Sequence, residues 1–371
     1  MPQKFKIIMT CIVLSMALGL NPAKAQLFQD TVALNLVKED INCIYTQHFK
    51  KAQDICKEIK ELYPDHPVIY LLQGLISYWK NYPMQYSTPA HVSFEKDLRK
   101  AILISENNNN PAHDAEYLLA NLCSRGLLIK FYDENDHIME AIPLVSSTYK
   151  YVKRSFNLTG ECSDLYYYTG AYNYYRVAYP EVYPVYTPLT IFLQQGNKER
   201  GLKELQHAAI SAVVMRAESY SLLASIYLNF ENNYEMSCRY SKSLYELYPE
   251  NMLYLSIYIK SLLLLKQYDE AEKLTIATLK STENKFFRAQ QIVFQGIIYE
   301  KKFQEYNRAE QFYKTGINIL THFGDYGHEY MAYAYFGLSR ISNLKSDKSA
   351  GTLYLQKALK LGDFKKINFD K

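Results

Sequence analysis

FKKAQDICKEIKELYP at residues 49–64 and YEMSCRYSKSLYELYP at residues 234–249 share one spacing, although few of their residues coincide. In each, an aromatic residue (Phe49, Tyr234) is followed three positions later by a small one (Ala52, Ser237). A second small residue comes one turn on, at Cys56 and Ser241, and an aliphatic one at Ile59 and Leu244. Both stretches close on Leu-Tyr-Pro, at Leu62-Tyr63-Pro64 and Leu247-Tyr248-Pro249. Steps of three and four residues keep these side chains on one face of a helix, and proline stops that helix. The same step returns at Tyr268 and Ala271, at Tyr306 and Ala309, and at Ala350, Tyr354 and Ala358. Upstream of these helices stand others with a large residue followed one turn later by a small one. Tyr70 precedes Gly74, Tyr166 precedes Gly170, Tyr220 precedes Ala224, Ile292 precedes Gly296 and Tyr333 precedes Gly337. Small residues allow two helices to approach closely, and large ones fill the gap to the next pair.

This two-helix unit resembles the tetratricopeptide repeat, whose period is about 34 residues. The resemblance implies an all-α fold: an α-solenoid of tetratricopeptide-type antiparallel helix pairs. Read this way, sixteen helices fall between residues 30 and 360. Residues 26–158 form an amino-terminal set of pairs, and residues 159–371 a carboxy-terminal set continuous with it. Gly170-Ala171-Tyr172-Asn173-Tyr174-Tyr175, then Pro180, then Gly196-Asn197-Lys198-Glu199-Arg200-Gly201-Leu202 with Leu205, is similar to a divergent tetratricopeptide family. That family includes mitochondrial outer-membrane proteins, and similar sequences occur in bacterial envelope proteins. The likeness covers residues 160–275 and brings no catalytic residue with it. Two segments interrupt the array, Tyr82–Pro89 and Tyr179–Pro188, and the prolines of the second are spaced too closely for a regular helix.

Residues 1–25 carry the marks of a secretory signal. Lys4 and Lys6 precede an apolar run from Ile7 to Leu20, and Ala23-Lys24-Ala25 supplies small residues ahead of Gln26. The run is shorter than the roughly 20 residues a spanning helix needs. The expectation is an exported chain in the periplasm or outside the cell, reaching a membrane only through a partner. Of the 42 basic residues, three precede residue 26, which leaves 39 against 38 acidic ones. Such a balance gives no field for phosphate backbones, so nucleic acid is not an expected partner.

Catalytic patterns are missing: there is no phosphate loop, no nucleophile elbow and no dinucleotide turn. His328-Glu329 lacks a second histidine one turn on, and the other histidines are scattered, so neither a metal nor a cofactor is expected. Cys43, Cys56, Cys123, Cys162 and Cys238 follow the signal, without a Cys-x-x-Cys pair. Cys43 and Cys56 fall on the two helices of one unit, where either a disulfide or two buried thiols would fit. On the inner face of a solenoid, lined by first helices, the register places Tyr78, Trp79, Tyr167, Tyr174, Tyr175, Ser225, Asn229 and Lys260. Aromatic rings with a few polar groups suit an extended protein segment, or a glycan. The function expected is a non-catalytic scaffold or adaptor that binds a protein or peptide on this face. The alternative is an outer-membrane-associated protein that holds a nutrient or glycan.

Overall fold

The computed structural model describes residues 26–111, 114–190 and 193–362; the signal-like segment lies outside them. Within the described residues, sixteen helices of 13 to 20 residues follow one another and no strand occurs. They are α1 (Thr31–Tyr45), α2 (Phe49–Leu62), α3 (Val68–Lys80), α4 (Pro89–Glu106), α5 (Asp114–Asp133), α6 (Ile138–Ser155), α7 (Leu165–Val182) and α8 (Lys198–Ser211). There follow α9 (Arg216–Asn229), α10 (Tyr234–Leu247), α11 (Met252–Leu264), α12 (Tyr268–Ser281), α13 (Lys285–Ile298), α14 (Tyr306–Leu320), α15 (Asp325–Leu344) and α16 (Lys348–Gly362). Each helix packs on the next in chain order, giving eight hairpins stacked as an α-solenoid.

The small residues sit where the spacing demands. A Cβ added at Gly170 would lie 2.9 Å from the carbonyl oxygen of Gly201, and one at Gly201 would lie 2.6 Å from the amide of Tyr174. Backbone therefore meets backbone where α7 crosses α8, and no larger residue fits. Tyr313 of α14 is gripped in a similar way. Its ring lies against Gly296 on α13 and Gly337 on α15, and its hydroxyl donates to Glu300 at 2.6 Å. In the last hairpin the register departs by one residue from expectation. Gly351 and Ala358 are buried there, whereas Ala350 and Tyr354 are only partly covered.

A second periodicity is carried by the backbone. The turn between the two helices of a hairpin holds a residue with positive φ at Gln47, Ser87, Asp136, Asn232, Lys266, Gln304 and Ser346. At most of these the following amide reaches back across the turn: His48 N–H to Cys43 O at 2.8 Å, His137 to Tyr132 at 2.8 Å, Gln267 to Leu262 at 2.9 Å and Asp347 to Ser342 at 2.9 Å. This is the left-handed helix stop that glycine ordinarily fills. Here none of the seven is glycine.

The Tyr179–Pro188 segment corrects the expectation of an irregular loop. Helix α7 runs on through Pro180 to Val182 and is followed by short helical turns at Pro184–Tyr186 and Thr187–Thr190. Pro180 stands in the last turn, and the Tyr183 amide still donates to Tyr179 O at 2.8 Å, so one missing donor does not end the helix.

The stack curls until its two ends touch. The Asn251 amide donates to the carbonyl of Tyr45 at 3.2 Å, and the Tyr45 ring packs against Tyr248 at 5.2 Å and Tyr254 at 5.9 Å. Trp79 meets Tyr254 edge-on at 5.5 Å. Tyr82 stacks between Trp79 and Phe287 at 5.9 and 5.8 Å and accepts at its carbonyl from Asn284 at 3.0 Å. Beyond it, Met84 is buried and accepts from the Tyr326 hydroxyl at 3.0 Å. The polar connection of Tyr82–Pro89 is thus the strap that joins the amino-terminal hairpins to α13 and α15. One apolar core runs from Leu27 to Tyr254 through these contacts.

Candidate functional site

Closing the turn leaves two adjoining cavities among the first helices. The inner one, about 160 Å3, is bordered by Tyr45, Tyr78 and Trp79, by Cys123, Gly126 and Lys130 of α5, and by Tyr167, Met215 and Glu218. The other, about 280 Å3, lies between α5, α9, α11, α13 and α15; its walls include Tyr82, Phe286, Tyr326 and Tyr330. Its polar lining comes from Lys130, Glu134, Ser225, Asn229, Lys260, Gln290, Asp325 and Glu329. Lys130 borders both.

Charge inside is arranged in pairs. Lys260 Nζ donates to Glu329 Oε1 at 2.8 Å, and Glu329 also accepts from the Tyr333 hydroxyl. His328 Nδ1 lies 3.2 Å from Asp325 Oδ1. Lys130 Nζ is 4.0 Å from Glu134 Oε1, one turn along α5, while Glu134 Oε2 accepts from Tyr78 at 2.7 Å. Glu218 accepts from the Tyr45 hydroxyl at 3.2 Å. Burial works against the Lys130 ammonium, yet Glu134 and Glu218 outweigh it and hold its pKa above the ordinary lysine value. Burial pushes the Glu134 carboxyl up, against the opposing pull of Lys130 and of the Tyr78 and Tyr326 hydroxyls. Tyr45, Tyr78 and Tyr82 are all pushed well above the usual phenol range by burial.

Two polar atoms beside the larger cavity lack a partner. Asn229 donates to Ser225 Oγ at 3.0 Å but its Oδ1 accepts nothing. Gln290, fully buried, accepts from Ser256 Oγ at 2.8 Å while its Nε2 donates to nothing. Leaving such an atom unpaired in a protein interior costs about 1–3 kcal/mol.

Of the residues expected on the inner face, Tyr78, Trp79 and Tyr167 border the smaller cavity, and Ser225, Asn229 and Lys260 the larger. Tyr78 and Trp79 do not form an open groove, because Tyr45, Tyr82 and Tyr254 cover them. Tyr174 and Tyr175 are placed elsewhere, in a local core with Phe230 and Leu205; the Tyr174 hydroxyl donates to Glu231. Cys43 and Cys56 are both free and buried, so no disulfide joins them. The Cys56 thiol points to the next hairpin, 3.7 Å from the Ile69 carbonyl, and not back toward α1.

Sequence reasoning missed Tyr82, Lys130, Glu134, Glu218, Gln290 and Glu329. Lys130 did leave a signal, as a lone charge in the run Leu127-Leu128-Ile129-Lys130-Phe131-Tyr132. The others gave none, because their neighbours come from hairpins distant in the chain. Among the described residues, no group of three or more histidine, cysteine, aspartate or glutamate side chains is placed to hold a metal ion. No helix there is long and apolar enough to cross a membrane. Compared with family models and with curated proteins, the chain matches none.

Proposed function

We propose that this chain is an exported, non-catalytic binding protein of the tetratricopeptide type, and that it holds a small molecule in its axial cavities. The observation that carries the reading is the pair of adjoining cavities at the centre of the closed turn, bordered by paired charges and by amide atoms without partners. A volume of about 280 Å3 falls just below the usual range of ligand pockets, roughly 300–1,000 Å3, and suits only a small ligand. An extended protein segment would need a continuous open groove, and the rings that would have lined it are spent on one another. The small-molecule alternative raised by the sequence is therefore the better supported. Binding is favoured over catalysis because the nearest thiol, Cys123, is pushed far above the reactive range by burial, and the lining carboxylates are engaged by lysines, His328 or tyrosine hydroxyls. Export rests on the pattern of residues 4–25, and the repeat type on the spacing of small residues.

Gly126 offers a direct test, since it borders the inner cavity from an exposed position and a Cβ added there would meet nothing within 4 Å. Gly126→Leu should fill that space and keep the helix, with better helix propensity by about 1 kcal/mol. A panel of small polar compounds is screened by melting temperature and by emission of Trp79, the chain's single tryptophan. A compound that shifts both in the wild type and neither in Gly126→Leu supports the proposal. Small compounds without effect, alongside a protein partner captured equally by both forms, would overturn it.

A further inference from the structure

The charges around the two cavities do not balance. Lys130 and Lys260 face Glu134, Glu218, Asp325 and Glu329. Lys260 is taken by Glu329, and Lys130 lies between Glu134 and Glu218. Four carboxyl side chains thus face two lysines around the two cavities. Glu134 and Glu218 are only partly exposed, and a cation placed between them is attracted more strongly than one at an open surface. Tyrosines line both cavities, Tyr167 among them in one and Tyr326 and Tyr330 in the other. Ring faces attract cations, with ammonium ligands as the best-known case. An anion would face both carboxylates, and a neutral ligand would leave Lys130 shared between them.

The unpartnered amides add a second requirement. Asn229 Oδ1 can accept from an ammonium, while Gln290 Nε2 needs an acceptor. We infer that the axial cavities take a small organic amine that also carries neutral hydroxyl or carbonyl groups, of the amino-alcohol or amino-sugar class. The ammonium sits between Glu134 and Glu218, and the neutral acceptor group reaches Gln290. The inference deepens the function proposed above and rests on it.

Three compounds with one ring and three charges decide the matter: glucosamine, glucose and glucuronate. Calorimetry and Trp79 emission are read with the full chain at fixed ionic strength. Glucosamine should bind at least tenfold more tightly than glucose, and glucuronate should not bind. N-acetylglucosamine, which keeps the shape of glucosamine and loses its charge, should fall to the level of glucose; this comparison needs no variant. Glu218→Gln should weaken glucosamine about tenfold and leave glucose unchanged. Glucose or glucuronate binding as well as glucosamine, with all of it lost in Gly126→Leu, overturns the amine inference and leaves the binding function standing. Failure of every compound in both this set and the wider panel overturns both.

Discussion

Asp40 of α1 is a carboxylic acid with nothing to hold. It is fully buried, neither oxygen has a hydrogen-bond partner, and burial pushes its pKa from 3.8 to about 8. In the unfolded chain the group ionises near its ordinary value, so between about pH 4 and pH 8 the folded form keeps a proton that the unfolded form has released. Stability must then fall as pH rises through that window, by up to about 1.4 kcal/mol per pH unit for one proton. From pH 5 to pH 7 the loss from this group alone approaches about 3 kcal/mol, a large part of the stability of an ordinary domain. Nearby thiols do not blur the effect, because burial raises Cys43 and takes Cys56 to about 12. Asp40→Asn keeps the shape and removes the titration. Urea unfolding of both proteins, followed by circular dichroism at pH 5, 6, 7 and 8, gives the difference between them at each pH. The variant should gain on the wild type steadily up to pH 8 and no further. Parallel curves across pH 5–8 would refute the reasoning, since they would mean that Asp40 ionises in the folded state as it does in water.

Gly337→Ala should cost about 1–3 kcal/mol by overpacking, measured by urea unfolding. Its new methyl meets the Tyr313 ring, which Glu300 fixes while itself held by Arg340 at 2.6 and 2.8 Å. Lys266→Gly should stabilise by about 0.5–1 kcal/mol, because an exposed residue at φ +60° pays a steric penalty that glycine avoids; a lowered melting temperature would count against it. Tyr82→Ala removes the ring that stacks on both Trp79 and Phe287 and should cost about 3–5 kcal/mol. At temperatures where helix content is retained, Trp79 emission should shift to the red as the turn opens, and unchanged emission would show that Tyr82 is not what closes it.

The fold was legible because its rule is local. Gly170 and Gly201 meet within one hairpin and Gly296 and Gly337 stand in the last two, and each is small for a reason that lies within one or two neighbouring helices. The one-residue slip in the last hairpin shows the limit of that rule. Ala350 and Gly351 are both small, and it is Gly351 that lies against Asn343 and Ser339 of the partner helix. The left-handed turn residues stayed hidden because the signal usually read is glycine, whereas this chain uses Gln47, Asp136, Lys266 and others, and pays in strain at each. The site was half legible for a different reason. Helical register places Trp79, Asn229 and Lys260 on the inner face, yet it says nothing about how tightly the stack curls. In an open solenoid each repeat touches only its neighbours, and the same register would describe an exposed groove. What closes it are contacts such as Asn251 with Tyr45, Asn284 with Tyr82 and Tyr326 with Met84, all between residues more than 200 positions apart. Pairings of that range leave no trace in any window of the sequence. They change the surroundings of every charge there: Lys130 and Glu134, an ordinary pair of solvated neighbours on an open array, become partly enclosed groups with Glu218 close enough to act on the same ammonium.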